Sequence, residues 1–579
     1  MRKRIISVLL IMMFILAGCG EDKPSVKEPV SQEYTDSNSS SGNDSSSTES
    51  EDTEYSQSDE KDRYSVTGGA EIYENLLADE EENKSSGFQI TVEKNKNRNT
   101  LKTAWRNVNN CPATSVVEDK AKKMRKAVLN TKNTSKYYKW TGRTFYVSPD
   151  GDDSNDGLTP KTAIKTLDAD AYTMYSLQPG DAVLFERGGI WRLTNSIKTK
   201  KGVIFGSYGE GPKPAFYGSA QNYADSKYWN ASNKENIWKV TVATSDVGLL
   251  VFNEGEEVGI KKLNGITVLE KNGDYYYNTG DDTLYVYFDK GNPGKYYKDI
   301  EIGQKVSCFG VGRDDIIIDN ICMKYFGEFG VTMCGNNNTK ITNCEFGFIG
   351  GALQSGTTRL GNCIQQWNST DKQLIENNWM YQAYDTGYTW QGTDTYMTGK
   401  DADGNNRIGD KAYYKDISVV NNIIEYCNYA IETWHDTHED LITSEYDVLA
   451  QVINFKLNDN MFRYSGYGWG GIQRPDKWGY AIYGGASSEK QNAKNCEIKN
   501  NVLDMSLRVL VRWENRSREY LDGEGMWDIS GNSYYQTYNK YGEAMQVVGL
   551  KNASSQEGLE NAVASFEKNP GTVLWLEND

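Results

Sequence analysis

The feature that most limits what this chain can fold into is a recurring pair of Asn or Asp residues at the end of a short apolar segment. It appears as Ile318-Asp319-Asn320, Ile375-Glu376-Asn377-Asn378, Val420-Asn421-Asn422, Leu457-Asn458-Asp459-Asn460 and Ile498-Lys499-Asn500-Asn501. Ile341-Thr342-Asn343 and Ile529-Ser530-Gly531-Asn532 keep the same frame. Asparagine tolerates a left-handed backbone at a tight turn, and its amide can stack on the same residue of a neighbouring strand. The step is 23 residues from Asn320 to Asn343 and 44 from Asn378 to Asn422. The short step fits one coil of a β-solenoid, and the longer ones imply loops on one side, where such folds place function. The 579 residues therefore read as one long solenoid with attachments. An all-β chain is expected.

Upstream of the repeat, Phe145-Tyr146-Val147-Ser148-Pro149-Asp150-Gly151-Asp152-Asp153-Ser154-Asn155-Asp156-Gly157 leads through Pro160 to Lys165-Thr166-Leu167. A β run followed by an Asp, Asn and Gly turn is legible from propensity alone. Together with Gly180-Asp181-Ala182-Val183-Leu184-Phe185-Glu186-Arg187-Gly188-Gly189 and Phe205-Gly206-Ser207-Tyr208-Gly209, this string resembles the opening of pectate-lyase-like right-handed parallel β-helix proteins. The resemblance implies a right-handed parallel β-helix whose first coil is capped by the acidic loop, and a carbohydrate-active protein. Between Trp238 and Ile302 the period lapses, and Tyr275-Tyr276-Tyr277 with Leu284-Tyr285-Val286-Tyr287-Phe288 predict an inserted antiparallel β subdomain. Its tyrosines read as a small core rather than a sugar platform.

The start of the chain predicts its location. Arg2, Lys3 and Arg4 precede an apolar run from Ile5 to Leu16 that ends in Leu16-Ala17-Gly18-Cys19. Basic residues, a short apolar stretch and small residues describe an export signal, and the run is short for a membrane span. Leu-Ala-Gly-Cys resembles the bacterial lipobox, which implies cleavage before Cys19 and lipidation of its thiol. Residues 20–65 carry 13 Asp/Glu and 4 Lys/Arg, so −9 of the net charge of −17 sits in a Ser-rich segment that reads as a solvated tether. With residues 1–19 at +3, the remaining residues carry −11. Such acidity argues against nucleic acid as a partner.

The expected division is residues 1–19 as lipoprotein leader, 20–65 as tether and 66–140 as a poorly defined segment with a helix near 116–130. Residues 141–237 start the solenoid, 238–302 form the inserted subdomain, 303–545 the coils, and 546–579 a C-terminal cap. Nine cysteines without CxxC spacing read, Cys19 apart, as buried thiols rather than a disulfide framework.

Counting 12 residues from Asn378, Asn422, Asn460 and Asn501 reaches Trp390, Trp434, Ile472 and Trp513. Two residues earlier stand Tyr388, Glu432, Gly470 and Val511; one residue later stand Gln391, His435, Gln473 and Glu514. Strand side chains alternate between faces. An outward Trp column, the reading adopted, gives an exposed sugar-binding face of Tyr388, Glu432 and three indoles. An inward column leaves Gln391, His435, Gln473, Arg512 and Glu514 outside. Asp385 in Tyr384-Asp385-Thr386-Gly387-Tyr388 and Glu432 are the paired carboxyls that glycoside hydrolysis needs. His435 and His438 are the only histidines, three positions apart beside Asp436, Glu439 and Asp440; His435 is a candidate base. Arg474 is a candidate to clamp a uronate carboxylate or to pair with Asp476, and Arg512 joins Trp434, Trp513 and Glu514 as substrate contacts.

Three readings follow. The first is a glycoside hydrolase using Asp385 and Glu432, the second a polysaccharide lyase on uronates, and the third a non-catalytic surface glycan-binding protein. No metal or cofactor is expected, and calcium enters only with the lyase. The expected partners are a polysaccharide and, through Cys19, the outside of a bacterial membrane; the expected state is a monomer.

Overall fold

The computed structural model describes residues 91–95, 115–168, 176–367, 370–393, 412–436, 450–476, 478–486, 491–513, 527–538, 541, 543–547, 550–553 and 555–577. Cys19, Glu514 and His438 lie outside these residues, as do the leader and the tether. Among the described residues the strands form three long sheets of 12, 11 and 10 strands, and successive coils contribute neighbouring parallel strands to each. The chain visits the 12-, the 11- and then the 10-stranded sheet in every coil, as in 339–342, 345–349 and 364–367. Parallel strands joined through crossovers of one hand build a right-handed parallel β-helix.

Its interior follows from period-two alternation. Ile318, Ile341, Ile375, Val419, Leu457 and Ile498 pair in register along the 12-stranded sheet, and all are buried. Across the core, Met323, Phe346, Met380, Ile424, Phe462 and Leu503 do the same on the 11-stranded sheet. The seven described cysteines are buried.

The Asn pairs divide their work. In four pairs the first member takes the turn, with φ of 52° at Asn377, 55° at Asn421, 60° at Asp459 and 56° at Asn500, as do Asn320 (63°) and Asn343 (56°) in the earlier coils, a region that short polar side chains tolerate. The second points inward and builds a ladder. The Asn422 side-chain oxygen accepts from the Asn378 backbone N–H (2.9 Å) and amide (3.0 Å), and the pattern repeats from Asn460 to Asn422, Asn501 to Asn460 and Asn532 to Asn501. Glu567, just after the helix Gln556–Phe566, ends the ladder by accepting from the Asn532 backbone and amide. Each side chain thus satisfies buried donors that water cannot reach. Replacing Asn422 with Ala strands both Asn378 donors at roughly 1–3 kcal/mol each. A loss of about 3 kcal/mol in chemical denaturation, with the native spectrum retained, is expected.

The outer face of the 11-stranded sheet is covered by the helix Glu118–Leu129. Acidic residues in its first turn and Lys126 in its last match the helix dipole, and Ala121, Arg125 and Val128 form its buried stripe. Arg125 donates to both oxygens of Glu425 (2.7 and 3.0 Å). Arg463 donates to Glu425 (2.6 Å), Asp504 (2.9 Å) and Glu118 (2.7 Å), and Ser115 donates to Asp504 (2.6 Å). Burial works to raise the Glu118 carboxyl, but the Arg463 and Arg125 guanidiniums outweigh it and hold it below its ordinary range.

The inserted subdomain is an antiparallel sheet around the hairpin of 274–278 and 283–287, with Tyr275 and Tyr277 in its own core. In the acidic N-terminal loop, Asp153 accepts from the Lys165 and Thr166 backbones and the Thr166 hydroxyl, and Asp156 from Thr162. That loop is a structural cap.

Candidate functional site on the 10-stranded sheet

Strand pairing fixes which residues share a face. Thr332, Gln365, Thr389, Glu432, Tyr483, Arg512 and Gln546 form one row across the 10-stranded sheet. The flanking rows point into the core: Ile364, Tyr388, Ile431, Ile482 and Val511 on one side, Trp390, Thr433, Gly484 and Trp513 on the other.

The outward Trp column is therefore corrected. Tyr388, Trp390 and Trp513 are core residues. Tyr388 donates to the buried Gln373, Trp390 packs on Phe455 with ring centres 4.4 Å apart, and Trp513 meets Trp527 edge-on at 5.4 Å. Glu432 also leaves the row of Tyr388 and takes the opposite face. The cause is unequal arc length between the ladder and the sheet. Trp390 lies 12 residues after Asn378, but its partner Thr433 lies 11 after Asn422 and Gly484 lies 24 after Asn460. Gly470, Ile472 and Gln473 are not strand residues; the excursion between Ser465 and Tyr480 carries the short helix Trp469–Gln473.

That helix docks where a side chain would not fit. A Cβ on Gly470 would stand 2.4 Å from the Tyr384 carbonyl oxygen. Trp469 donates its ring N–H to the Gln382 carbonyl (2.6 Å) and its backbone N–H to the Gln382 side chain (2.9 Å). This delivers Arg474 to the sheet edge. Its Nη1 donates to Asp385 Oδ1 (2.8 Å), while Nε and Nη2 hold Asp476 in a bidentate pair (2.8 and 3.0 Å). The guanidinium lies 5.3 Å from the Tyr384 ring and 5.6 Å from that of Tyr429.

The two carboxylates nominated from the sequence lie on paired strands of adjoining coils, Asp385 just before Thr386, whose partner is Tyr429, and Glu432 three positions further along. Thr386 follows Asp385 and donates its hydroxyl to Glu432 Oε2 (3.0 Å), which also accepts from the Gln391 amide (3.0 Å). Glu432 is fully buried and Asp385 nearly so. Beyond them stands an aromatic group that counting from the ladder missed: Tyr429, Trp478, Tyr480 and Tyr483. Tyr429 stacks on Tyr480 at 5.4 Å. Half-buried Arg512 lies 4.7 Å over Trp478 and donates to the Tyr480 hydroxyl (2.7 Å). The signal was present in the sequence: Tyr429-Ala430-Ile431-Glu432 and Tyr480-Ala481-Ile482-Tyr483 repeat one pattern in register. Of Trp434 and His435 the backbone alone is described, paired with Gln391 and Gly392 on one side and Gly485 and Ala486 on the other. Among the described residues, no three His, Cys, Asp or Glu side chains converge as metal ligands do.

No family model and no curated protein matches the chain. Solved structures do. One is a glycoside hydrolase at 9% identity and TM-score 0.37, covering 76% of this chain and 96% of that one. The GH136 lacto-N-biosidase from Eubacterium ramulus is 12% identical with TM-score 0.32, covering 76% and 67%. The surface adhesin PfbA of Streptococcus pneumoniae is 12% identical with TM-score 0.25, covering 64% and 85%. Similarity this low leaves the argument with the molecule's own geometry. Three parallel sheets and an inward asparagine ladder make the chain a right-handed parallel β-helix.

Proposed function

We propose that the chain is a carbohydrate-active protein that hydrolyses glycosidic bonds in an extracellular polysaccharide, with Asp385 and Glu432 as its carboxyl pair. The observation that supports this reading is the hydrogen bond from Thr386, the residue after Asp385, to Glu432, which ties the two carboxylate-bearing strands together. The Arg474 ion pair fits Asp385 to the charged role of nucleophile or base. Glu432 Oε2 accepts from a hydroxyl and an amide, which fits it to the acid role. His435, on the strand of Glu432, stays a candidate base.

A uronate lyase is the second reading, favoured by Arg512, whose ring-stacked, half-buried guanidinium is built to meet a carboxylate. Digestion of neutral and uronate polysaccharides by the full-length chain, with and without EDTA, tests both. Hydrolysis predicts new reducing ends that EDTA leaves unchanged, without ultraviolet-absorbing unsaturated products. Unsaturated products transfer the site to the lyase reading. Binding without cleavage makes it a glycan-binding surface. The basic, apolar leader ending at Cys19 and the acidic tether that follows support attachment by a lipid to the outside of a bacterial membrane. Mass spectrometry of the mature N-terminus tests that: an acylated Cys19 is expected, and an intact leader contradicts it.

A further inference from the structure

The turns that carry the first Asn of each pair lie between the 12- and 11-stranded sheets, across the core from the carboxylate site. There a cavity of about 700 Å³ opens between these turns and the segment after the helix Glu118–Leu129. One wall is Tyr137 and Tyr138; the other is Asn343, Glu376, Asn377 and Asn421, from three successive coils. Tyr138 is anchored by a hydroxyl contact to Thr342 (2.9 Å), while Tyr137 is 48% exposed and offers its ring. The volume lies within the range of small-ligand sites, roughly 300–1,000 Å³.

The facing amides are periodic. Asn343, Asn377 and Asn421 stand one coil apart, a rung of about 4.8 Å, close to the rise of one sugar residue in an extended chain. The Asn377 amide donates to Asn343 Oδ1 (2.6 Å). That leaves Asn377 Oδ1 and the exposed Asn421 side chain with hydrogen-bonding capacity that no described residue fills. The Glu376 carboxylate makes no hydrogen bond or ion pair with a described residue, so it offers an acceptor to hydroxyls and repels an anion. Lys136 also lines the cavity.

We infer that this cavity is a second glycan-binding site, selective for an extended neutral oligosaccharide, which holds the polymer away from the carboxylate edge. Tyr137 stacks on one sugar face, and Glu376, Asn377 and Asn421 take hydroxyls from consecutive residues. The inference does not depend on the reaction at Asp385 and Glu432. Titration calorimetry on the full-length Glu432→Gln chain, which removes turnover, tests it with cellotetraose, xylotetraose and mannotetraose, and with a galacturonate oligomer as charged control. Binding of at least one neutral probe is expected, stronger than that of the galacturonate. Tyr137→Ala and Asn421→Ala are each expected to weaken it about tenfold, equivalent to ~1.4 kcal/mol. Tyr137→Phe, which keeps the ring, is expected to retain it, with an unchanged thermal midpoint in all three variants. Absence of binding by every neutral probe, preference for the galacturonate, or affinity unchanged in both alanine variants overturns the inference.

Discussion

Glu432→Gln is expected to lower polysaccharide turnover by about 10²–10⁴-fold, the range that a positioned acid or base supplies. The amide keeps an oxygen for the Thr386 hydroxyl and occupies the same volume, so the fold is expected to persist. Asp385→Asn should have an effect of similar size for a different reason. It removes the charge opposite Arg474 while leaving the bidentate Arg474–Asp476 pair to hold the guanidinium. Steady-state rates on one polysaccharide, read beside thermal midpoints, check both. A variant that keeps full activity removes that residue from the mechanism. Loss of activity with loss of folding shows instead that the carboxylate is structural.

Arg463→Met should be the most destabilising single change outside the core. Glu425 and Asp504 are fully buried, and Arg463 bonds to both. Removing one partner from a buried charged network costs about 3–5 kcal/mol, because the remaining charges stay desolvated. Arg125 still faces Glu425 in the variant, so the stranded group is Asp504 with only Ser115 among its described partners. In the native chain burial already holds the Asp504 carboxyl above its ordinary range, with Arg463 pulling the other way. Without Arg463 the folded state binds a proton more tightly than the unfolded state does. The deficit is therefore expected to narrow as pH falls toward the carboxylate range. Denaturation across acidic and neutral pH measures this, and a deficit that does not change with pH contradicts the assignment.

The β-helix was legible because the chain writes its period twice: a left-handed turn residue and, directly after it, an amide for the ladder. The ladder frame stays reliable only near the ladder. Three residues beyond Asn422, Asn460 and Asn501 stand Glu425, Arg463 and Asp504, which do pair in register. Further on, the arcs to the 10-stranded sheet differ in length, and a one-residue error moves a side chain to the opposite face. That is why Trp390 and Trp513 read as a sugar platform and prove to be core. Glu432 and Asp385 were nominated for their chemistry, but the Thr386–Glu432 hydrogen bond that links their strands leaves no local trace. The delivery of Arg474 depends on a helix that packs only because residue 470 is glycine. The link between Arg125 and Glu425, 300 residues apart, leaves no local trace.

The central claim, a hydrolytic carboxyl pair, is tested most directly by following solvent oxygen. Digestion in water enriched in heavy oxygen is expected to place one labelled oxygen at each cleaved bond, with no unsaturated sugar formed. Cleavage without incorporation and with a new double bond, or no cleavage of any glycan by the native chain, contradicts the account.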